Sequence, residues 1–465
     1  MPRPRPKWCP RSTPRWPNSR RCSRSSRRSD RIWGSPTNHA EAIAYLDGHI
    51  GRGVKPGLER ISGLLDMLAH PEESYPIIHI AGTNGKTSTS RMAATLVSAM
   101  GLCGGLFTSP HLDRVEQRFE VGGFVMTPDE FAELITELAP IVDLYEERTG
   151  DGITYFELTA AMAFAWLANR TVDVGMIETG LGGRLDATNA ATSDVAVVTN
   201  IGLEHTEYLG TTIPLIAAEK LAILDRGSVL VTGDMVPEAL TVAEAGVREN
   251  EARWFRFGLD YRPVEARPTR AGWRFDLDGL NRQYTGLELR MRGRHQVSNF
   301  ATAVAAVEAL FDRALDEAAV REAASRASSP GRMEVISLDP LVLSDGAHNP
   351  DGMAALEAAL AEEYAGVSWT VVFGAMRDKD IRTMLGHLRD AGGRFHTAAA
   401  DSPRAMPADQ IGTLVTDVVG CPATAHDSVA GALRAAMAEG GPVLVTGSIY
   451  VVGEARAALG VSSEP

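Results

Sequence analysis

Ile77-Ile78-His79-Ile80-Ala81-Gly82-Thr83-Asn84-Gly85-Lys86-Thr87-Ser88 runs from a short apolar strand through a glycine loop with a lysine into a helix-forming segment. In that order the parts make an anion site. The glycines let backbone N–H groups converge, the helix N-terminus adds its dipole, and Lys86 brings a positive charge to the outer phosphates of a nucleoside triphosphate. The strict eight-residue phosphate-loop pattern needs glycine where Ile80 stands, so the match is to the shorter Gly82-Thr83-Asn84-Gly85-Lys86-Thr87. An ordinary glycine turn between strand and helix would explain the glycines. It would not explain lysine, hydroxyls and helix in the required order.

Outward from this loop, strand and helix patterns alternate. Upstream, residues 38–68 show helical apolar spacing broken around Gly51 to Gly57, which predicts two helices and a loop facing the nucleotide site. Downstream, the helix continues to Met100, and Leu106-Phe107-Thr108 is a strand ending in Ser109-Pro110-His111. Helices are expected over 128–147 and 154–168, and a buried strand over 171–178 stopped by Thr179-Gly180-Leu181-Gly182-Gly183-Arg184. The continuous apolar run Val195 to Asn200 is of parallel-strand type and leads into Ile201-Gly202-Leu203-Glu204-His205. Such alternation, with polar residues at the strand ends, describes a doubly wound, mostly parallel sheet with ligands at its carboxyl edge. A helix over 213–224 carries Glu219-Lys220, period-two runs over 254–289 predict a small antiparallel addition, and a helix over 295–310 closes this part. The Ser/Pro/Gly stretch Ser325 to Arg332 then precedes a second alternation over 341–446. The fold class is α/β, a phosphate-loop ATPase domain over 37–325 followed by a smaller Rossmann-like domain over 326–465.

Composition bounds the function. At 465 residues the chain exceeds what one core usually serves, and no run of about 18 apolar residues exists to span a bilayer. The four cysteines lack metal-ligand spacing, which argues against a disulfide scaffold or zinc module and for a reducing cytoplasm. Residues 1–36 hold eleven of the 46 Lys and Arg and one of the 59 acids, so the remainder carries 35 basic against 58 acidic residues. An acidic body of that kind repels nucleic acid. The head, rich in arginine, serine and proline, is expected to be disordered; a presequence, a nucleic-acid arm and a functionless extension compete for it, and its prolines favour the last.

Triphosphate chemistry needs Mg²⁺, a hard ion that seeks oxygen. Thr87, Ser88, Ser109, Glu178 and the strand-end Asp194 are the candidates, Glu178 foremost, because a buried carboxylate beside a phosphate site is costly without a cation. His205 alone reads as a loop histidine and Lys220 alone as a helix lysine with its head in water.

Taken together, Gly82 to Lys86, Thr108-Ser109-Pro110-His111-Leu112, Tyr155-Phe156-Glu157, Glu178 to Asn189, Glu219-Lys220, Pro330-Gly331-Arg332, Asp345-Gly346-Ala347-His348-Asn349-Pro350 and Thr446 to Tyr450 resemble the folylpolyglutamate synthase/dihydrofolate synthase family of the Mur ligase superfamily. The resemblance covers roughly residues 38–460. It implies an ATP-dependent ligase that adds L-glutamate to a folate or to dihydropteroate through an acyl phosphate. Thr83 to Lys86 would hold the phosphates. Ser109, Glu178 and His205 would ligate magnesium, and Lys220 would be carbamylated and bring a carbamate to a second magnesium. Asn299, Arg332 and Asp345 would contact the nucleotide. The pterin substrate would sit near Thr154, Tyr155, Phe156 and Glu157 and near Leu185, Asp186 and Ala187, with His348 by the incoming glutamate. Lys86, Lys220, His205, Arg332 and His348 are the expected catalytic set, and a monomer is the expected state. Thr87 departs from the glycine that often follows the lysine in this family and resembles the cell-wall Mur ligases instead. Another Mur-type ligase, acting on a cell-wall nucleotide or amino-acid polymer, is the alternative reading.

Overall fold

Eight strands form the sheet on which the phosphate loop sits, in a computed structural model that describes residues 38–53 and 55–461. The expected extension over 1–36 lies outside the described residues. The strands are β1 (Ile77–Ala81), β2 (Gly104–Phe107), β3 (Phe119–Val121), β4 (Phe124–Val125), β5 (Val174–Glu178), β6 (Val195–Val198), β7 (Val229–Thr232) and β8 (Arg253–Arg256). Their order is β4-β3-β2-β5-β1-β6-β7-β8, parallel except for β3 and β4. β1 lies between β5 and β6, with Ile80 beside Glu178 and Ala81 beside Val198. The phosphate loop, Glu178 and the loop after β6 therefore leave one edge together. Ile78 and Ile80 pack with helices Lys86–Ala99 and Arg294–Phe311, whereas Ile77 joins the opposite core with helices Pro128–Thr149 and Tyr155–Asn169. Cover on both faces is why these strands read as unbroken apolar runs.

Several expected boundaries move, each for a local reason. The strand predicted from residue 171 begins at Val174, because Thr171 sits in the left-handed region at φ 49°. The antiparallel addition is narrower than 254–289. β8 pairs parallel with β7, and only β9 (Arg262–Thr269), β10 (Gly272–Asp278) and β11 (Gln283–Leu289) form the small antiparallel sheet. An edge strand covered on one face alternates like an antiparallel one, which hides the difference in sequence. A further helix, Glu317–Arg326, follows Arg294–Phe311 before the chain leaves the domain.

The second sheet consists of β12 (Glu334–Leu338), β13 (Leu341–Asp345), β14 (Trp369–Phe373), β15 (Gly392–Ala398), β16 (Ala423–His426) and β17 (Val443–Thr446). Its order is β12-β13-β17-β14-β15-β16, parallel apart from β12. Helix Pro350–Glu363 touches the first domain at both ends. At its start, the Asn349 and Asn84 amides exchange hydrogen bonds at 3.1 and 3.4 Å. At its end, the Glu363 carboxylate accepts from Trp273 Nε1, Arg292 Nη1 and the Gly293 N–H. Among the described residues no helix is long and apolar enough to cross a membrane.

Candidate active site

The phosphate loop needs its glycines. Gly82 and Gly85 have φ of 150° and 83°; a Cβ on Gly82 would meet Thr199 Oγ1 at 1.9 Å, and one on Gly85 would meet Asn299 Oδ1 at 2.6 Å. The loop is tied to the segment after β6: Thr83 N–H donates to Asn200 O, Asn84 N–H to Asn200 Oδ1, and Gly202 N–H to Thr83 Oγ1. Lys86 opens its helix and donates back to the Gly82 and Thr83 carbonyls at 3.0 and 3.2 Å.

A cavity of about 170 Å³ opens over this loop. Thr83 to Ser88, Ser109, Glu178, His205, Lys220 and Asn299 line it from the first domain, and Arg332, Asp345 and His348 from the second. Glu178, at the end of β5, is 1% exposed and accepts from Thr87 Oγ1 at 2.9 Å and from the Ser109 N–H at 3.3 Å. Burial pushes its carboxyl up to about 7 against the opposing charge of Lys86 and the Thr87 and Ser109 hydrogen bonds. A carboxylate held there calls for a cation. Lys220 is buried too, donates to Gly82 O at 2.8 Å, and is lowered to about 7 by burial and then by Lys86. It is therefore no snorkelling helix lysine. His205, at φ 51°, is lowered to about 4, first by burial, with Lys379, Lys220 and Lys86 adding repulsion.

A larger cavity of about 430 Å³ adjoins the first. The two share Ser109, Pro110, Gly180, Leu181, His205, Arg332 and His348. Of the expected substrate residues, Thr154, Phe156, Glu157, Leu185, Asp186 and Ala187 line the larger one, and Tyr155 does not. Tyr155 instead lies under the Arg118 guanidinium, 5.6 Å from ring centre to Cζ. Two of the lining carboxylates are engaged within the chain. Glu157 pairs with Arg60 and caps its own helix, and Asp186 accepts from Leu181 N–H and from Thr188.

Two readings are corrected. Asp194 precedes β6, and its Oδ2 accepts from Ile77 N–H where β1 begins, so it stands at the edge of the sheet opposite the phosphate loop and cannot serve a metal beside that loop. The loop over 51–57 does not face the nucleotide cavity; Gly53, Lys55, Pro56 and Gly57 line the larger one. Sequence reasoning passed over Glu204, Lys379, Asn200 and Asn349. Lys379 follows β14 as Ser109 follows β2, so the strand-end rule was the available signal.

The Mur ligase middle domain profile matches residues 80–307, and that of the Mur ligase glutamate ligase domain matches residues 331–449. The chain is 36% identical to the dihydrofolate synthase/folylpolyglutamate synthase of Mycobacterium tuberculosis over 77% of each chain, and 32% identical to that of Bacillus subtilis over 90% of this chain and 99% of the relative. The chain belongs to the folylpolyglutamate synthase/dihydrofolate synthase family. It is accordingly an ATP-dependent ligase. Among solved structures of the family, the M. tuberculosis folylpolyglutamate synthase complexed with ADP superposes with a TM-score of 0.87 at 34% identity, covering 91% of this chain and 98% of that one. A folylpolyglutamate synthase complex with AMPPCP and folate superposes at 0.79 and 29% identity, over 91% of this chain and all of the other.

Proposed function

We propose that this chain uses ATP to join L-glutamate to a folate, to dihydropteroate, or to both, at the junction of its two cavities. One observation carries the reading: a phosphate-loop cavity and a larger, partly apolar cavity meet at Ser109, His205, Arg332 and His348. A carboxylate is a poor electrophile, so its oxygen first takes the γ-phosphoryl group as the bond to ADP breaks. The glutamate nitrogen then attacks the acyl carbon, phosphate leaves, and the amine gives up its proton. The backbone N–H groups of Gly85 and Lys86, on a loop that Thr83 and Asn84 tie to Asn200, hold the phosphates through both steps, and the Lys86 and Arg332 charges neutralise them. Asn299 and Asp345 flank the nucleotide. Phe156, Leu185 and Ala187 supply apolar surface for the pterin, and enclosure between the domains keeps water from the acyl phosphate.

The donor set suits magnesium. Ser109, Glu178 and His205 line one cavity, and among the described residues the buried Glu178 carboxylate has hydroxyl and N–H partners but no side-chain cation hydrogen-bonded to it. Magnesium there would supply positive charge against the triphosphate. Lys220 fits the carbamylated role, since an amine near 7 is partly neutral and able to take up carbon dioxide, and its carbamate would serve a second ion. We take the cytoplasm as the compartment, from the sparse cysteines of the sequence, and a monomer as the working form.

A panel of acceptors measured for ADP release tests the proposal. Release should require L-glutamate together with a folate or dihydropteroate. Turnover with a cell-wall nucleotide acceptor and none with folates would overturn it.

A further inference from the structure

Glu204 leaves the loop after β6 with its side chain 6% exposed, where the first domain meets the second. Its Oε1 has His205 Nε2 of its own loop at 3.8 Å, and two nearer polar groups come from the second domain. Lys379 Nζ, from the loop after β14, donates at 3.2 Å, and His348 Nε2, from the loop after β13, stands 3.3 Å away. His348 is braced from behind, its Nδ1 2.8 Å from the Gly346 carbonyl oxygen. Glu204 lines the smaller cavity and Lys379 the larger, while His348 lines both. The carboxylate thus sits in the wall between the nucleotide and the acceptor.

We propose that Glu204 is a positioning residue that fixes the register of the second domain on the first, holding Lys379 and His348 where the incoming L-glutamate must be engaged. The proposal rests on the glutamate-ligase reading of the site. A lysine has three donors on a long flexible stem, and an unrestrained one must be ordered anew with each substrate. Lys379 has a competing carboxylate close by, Asp378 Oδ2 at 3.9 Å. Glu204, buried and facing inward, draws the ammonium to the cavity side. Being bonded to two loops of the other domain, it also resists their sliding apart. Its loss should affect nucleotide binding far less than glutamate use, because the phosphate loop and Lys86 hold the phosphates from the first domain and Arg332 and Asp345 reach the nucleotide from segments that Glu204 does not bond.

The test is a set of variants, Glu204→Gln, Glu204→Asp, Lys379→Met and the Gln/Met double, with kcat and KM measured for L-glutamate and for ATP. Misplacing reacting groups by an ångström costs about 100-fold, so kcat/KM for L-glutamate should fall by about that in Glu204→Gln. Glu204→Asp should recover about tenfold of the loss, and ADP affinity should stay within about threefold of wild type. Coupled residues do not add, so the double variant should be within about threefold of Lys379→Met. Hydrogen exchange provides a readout free of turnover: residues 374–380 should exchange faster in Glu204→Gln, with helix Lys86–Ala99 unchanged. Unaltered exchange in 374–380, additive penalties, or ADP affinity falling as far as kcat/KM would each overturn the proposal. If wild type releases no ADP with folate and glutamate, the functional reading fails, and the exchange experiment still decides the register role.

Discussion

At Lys220 an amine is buried beside the cavity where the proposed function gathers magnesium and triphosphate, and an ammonium there would repel the metal. Burial together with Lys86 lowers it to about 7, and its Nζ reaches the Gly82 carbonyl at the root of the phosphate loop. The proposed carbamate would resolve the conflict by turning the cation into an anionic oxygen ligand. Lys220→Ala should therefore lose about 100-fold or more in turnover and regain part of it when acetate is supplied. Lys220→Arg should stay inactive with acetate present, because a guanidinium keeps its charge and cannot take up carbon dioxide in this way. Steady-state ADP release decides it, and an alanine variant with undiminished turnover ends the metal role. Glu178 and Lys86 were legible from sequence because a carboxylate ending a buried strand and a lysine after a glycine loop are chemically conspicuous. Glu204 and Lys379 were not. A charged residue in a polar loop looks solvent-facing until a second domain is laid over it.

Helix Tyr155–Asn169 shows how an element can stand behind residues that look like substrate contacts. Eleven of its 15 residues are buried, and its half-buried start beside the larger cavity is secured by capping. Thr154 Oγ1 accepts from the Glu157 N–H, and Glu157 Oε2 accepts from the Thr154 N–H at 2.8 Å. The other Glu157 oxygen takes Arg60 Nε at 2.9 Å, and Arg60 also donates to the Lys55 carbonyl. One carboxylate thus fixes the helix and the cavity loop at once. Breaking a buried pair by removing one partner costs about 3–5 kcal/mol, so Glu157→Ala should destabilise by that order in urea unfolding with the denaturant slope unchanged. Glu157→Gln, which keeps an acceptor for the cap, should cost about 1–3 kcal/mol. A loss under about 1 kcal/mol in the alanine variant would leave Glu157 as a substrate contact instead. The helix and its capping signal were readable, since Thr-x-x-Glu before an apolar run has one strong meaning. β8 was misread, because one-sided burial gives an edge strand the same alternation whichever way its neighbour runs.

Over the whole molecule, the two α/β sheets were legible in the alternation of apolar runs, whereas their docking was not, because its contacts join single residues far apart in sequence, Leu112 against the second core among them. Helix Pro350–Glu363 spans about 21 Å and is pinned to the first domain at both ends. The Asn349 end meets the phosphate loop through Asn84, so it can feel a nucleotide. The Glu363 end has a carboxylate only 2% exposed, facing the Trp273 N–H, Arg292 and the Gly293 N–H that opens helix Arg294–Phe311. Asn299 of that same helix packs on Gly85, which closes a ring of contacts from the phosphate loop through both helices and back. Cutting the ring at Glu363 removes the acceptor shared by three donors and takes from Arg292, itself 23% exposed, its carboxylate, leaving it the Arg270 carbonyl. The cost should be about 3–5 kcal/mol, and it falls on the interface rather than on either core. Glu363→Ala should thus split one calorimetric transition into two, and a nucleotide analogue should raise the first domain's transition more than the second's. Glu357→Ala is the control on the same helix, since Glu357 bonds His387 within the second domain and its loss leaves the docking intact. A single transition in Glu363→Ala, within about 1 °C of wild type, would mean that the domains are held by other contacts and that the ring carries no coupling.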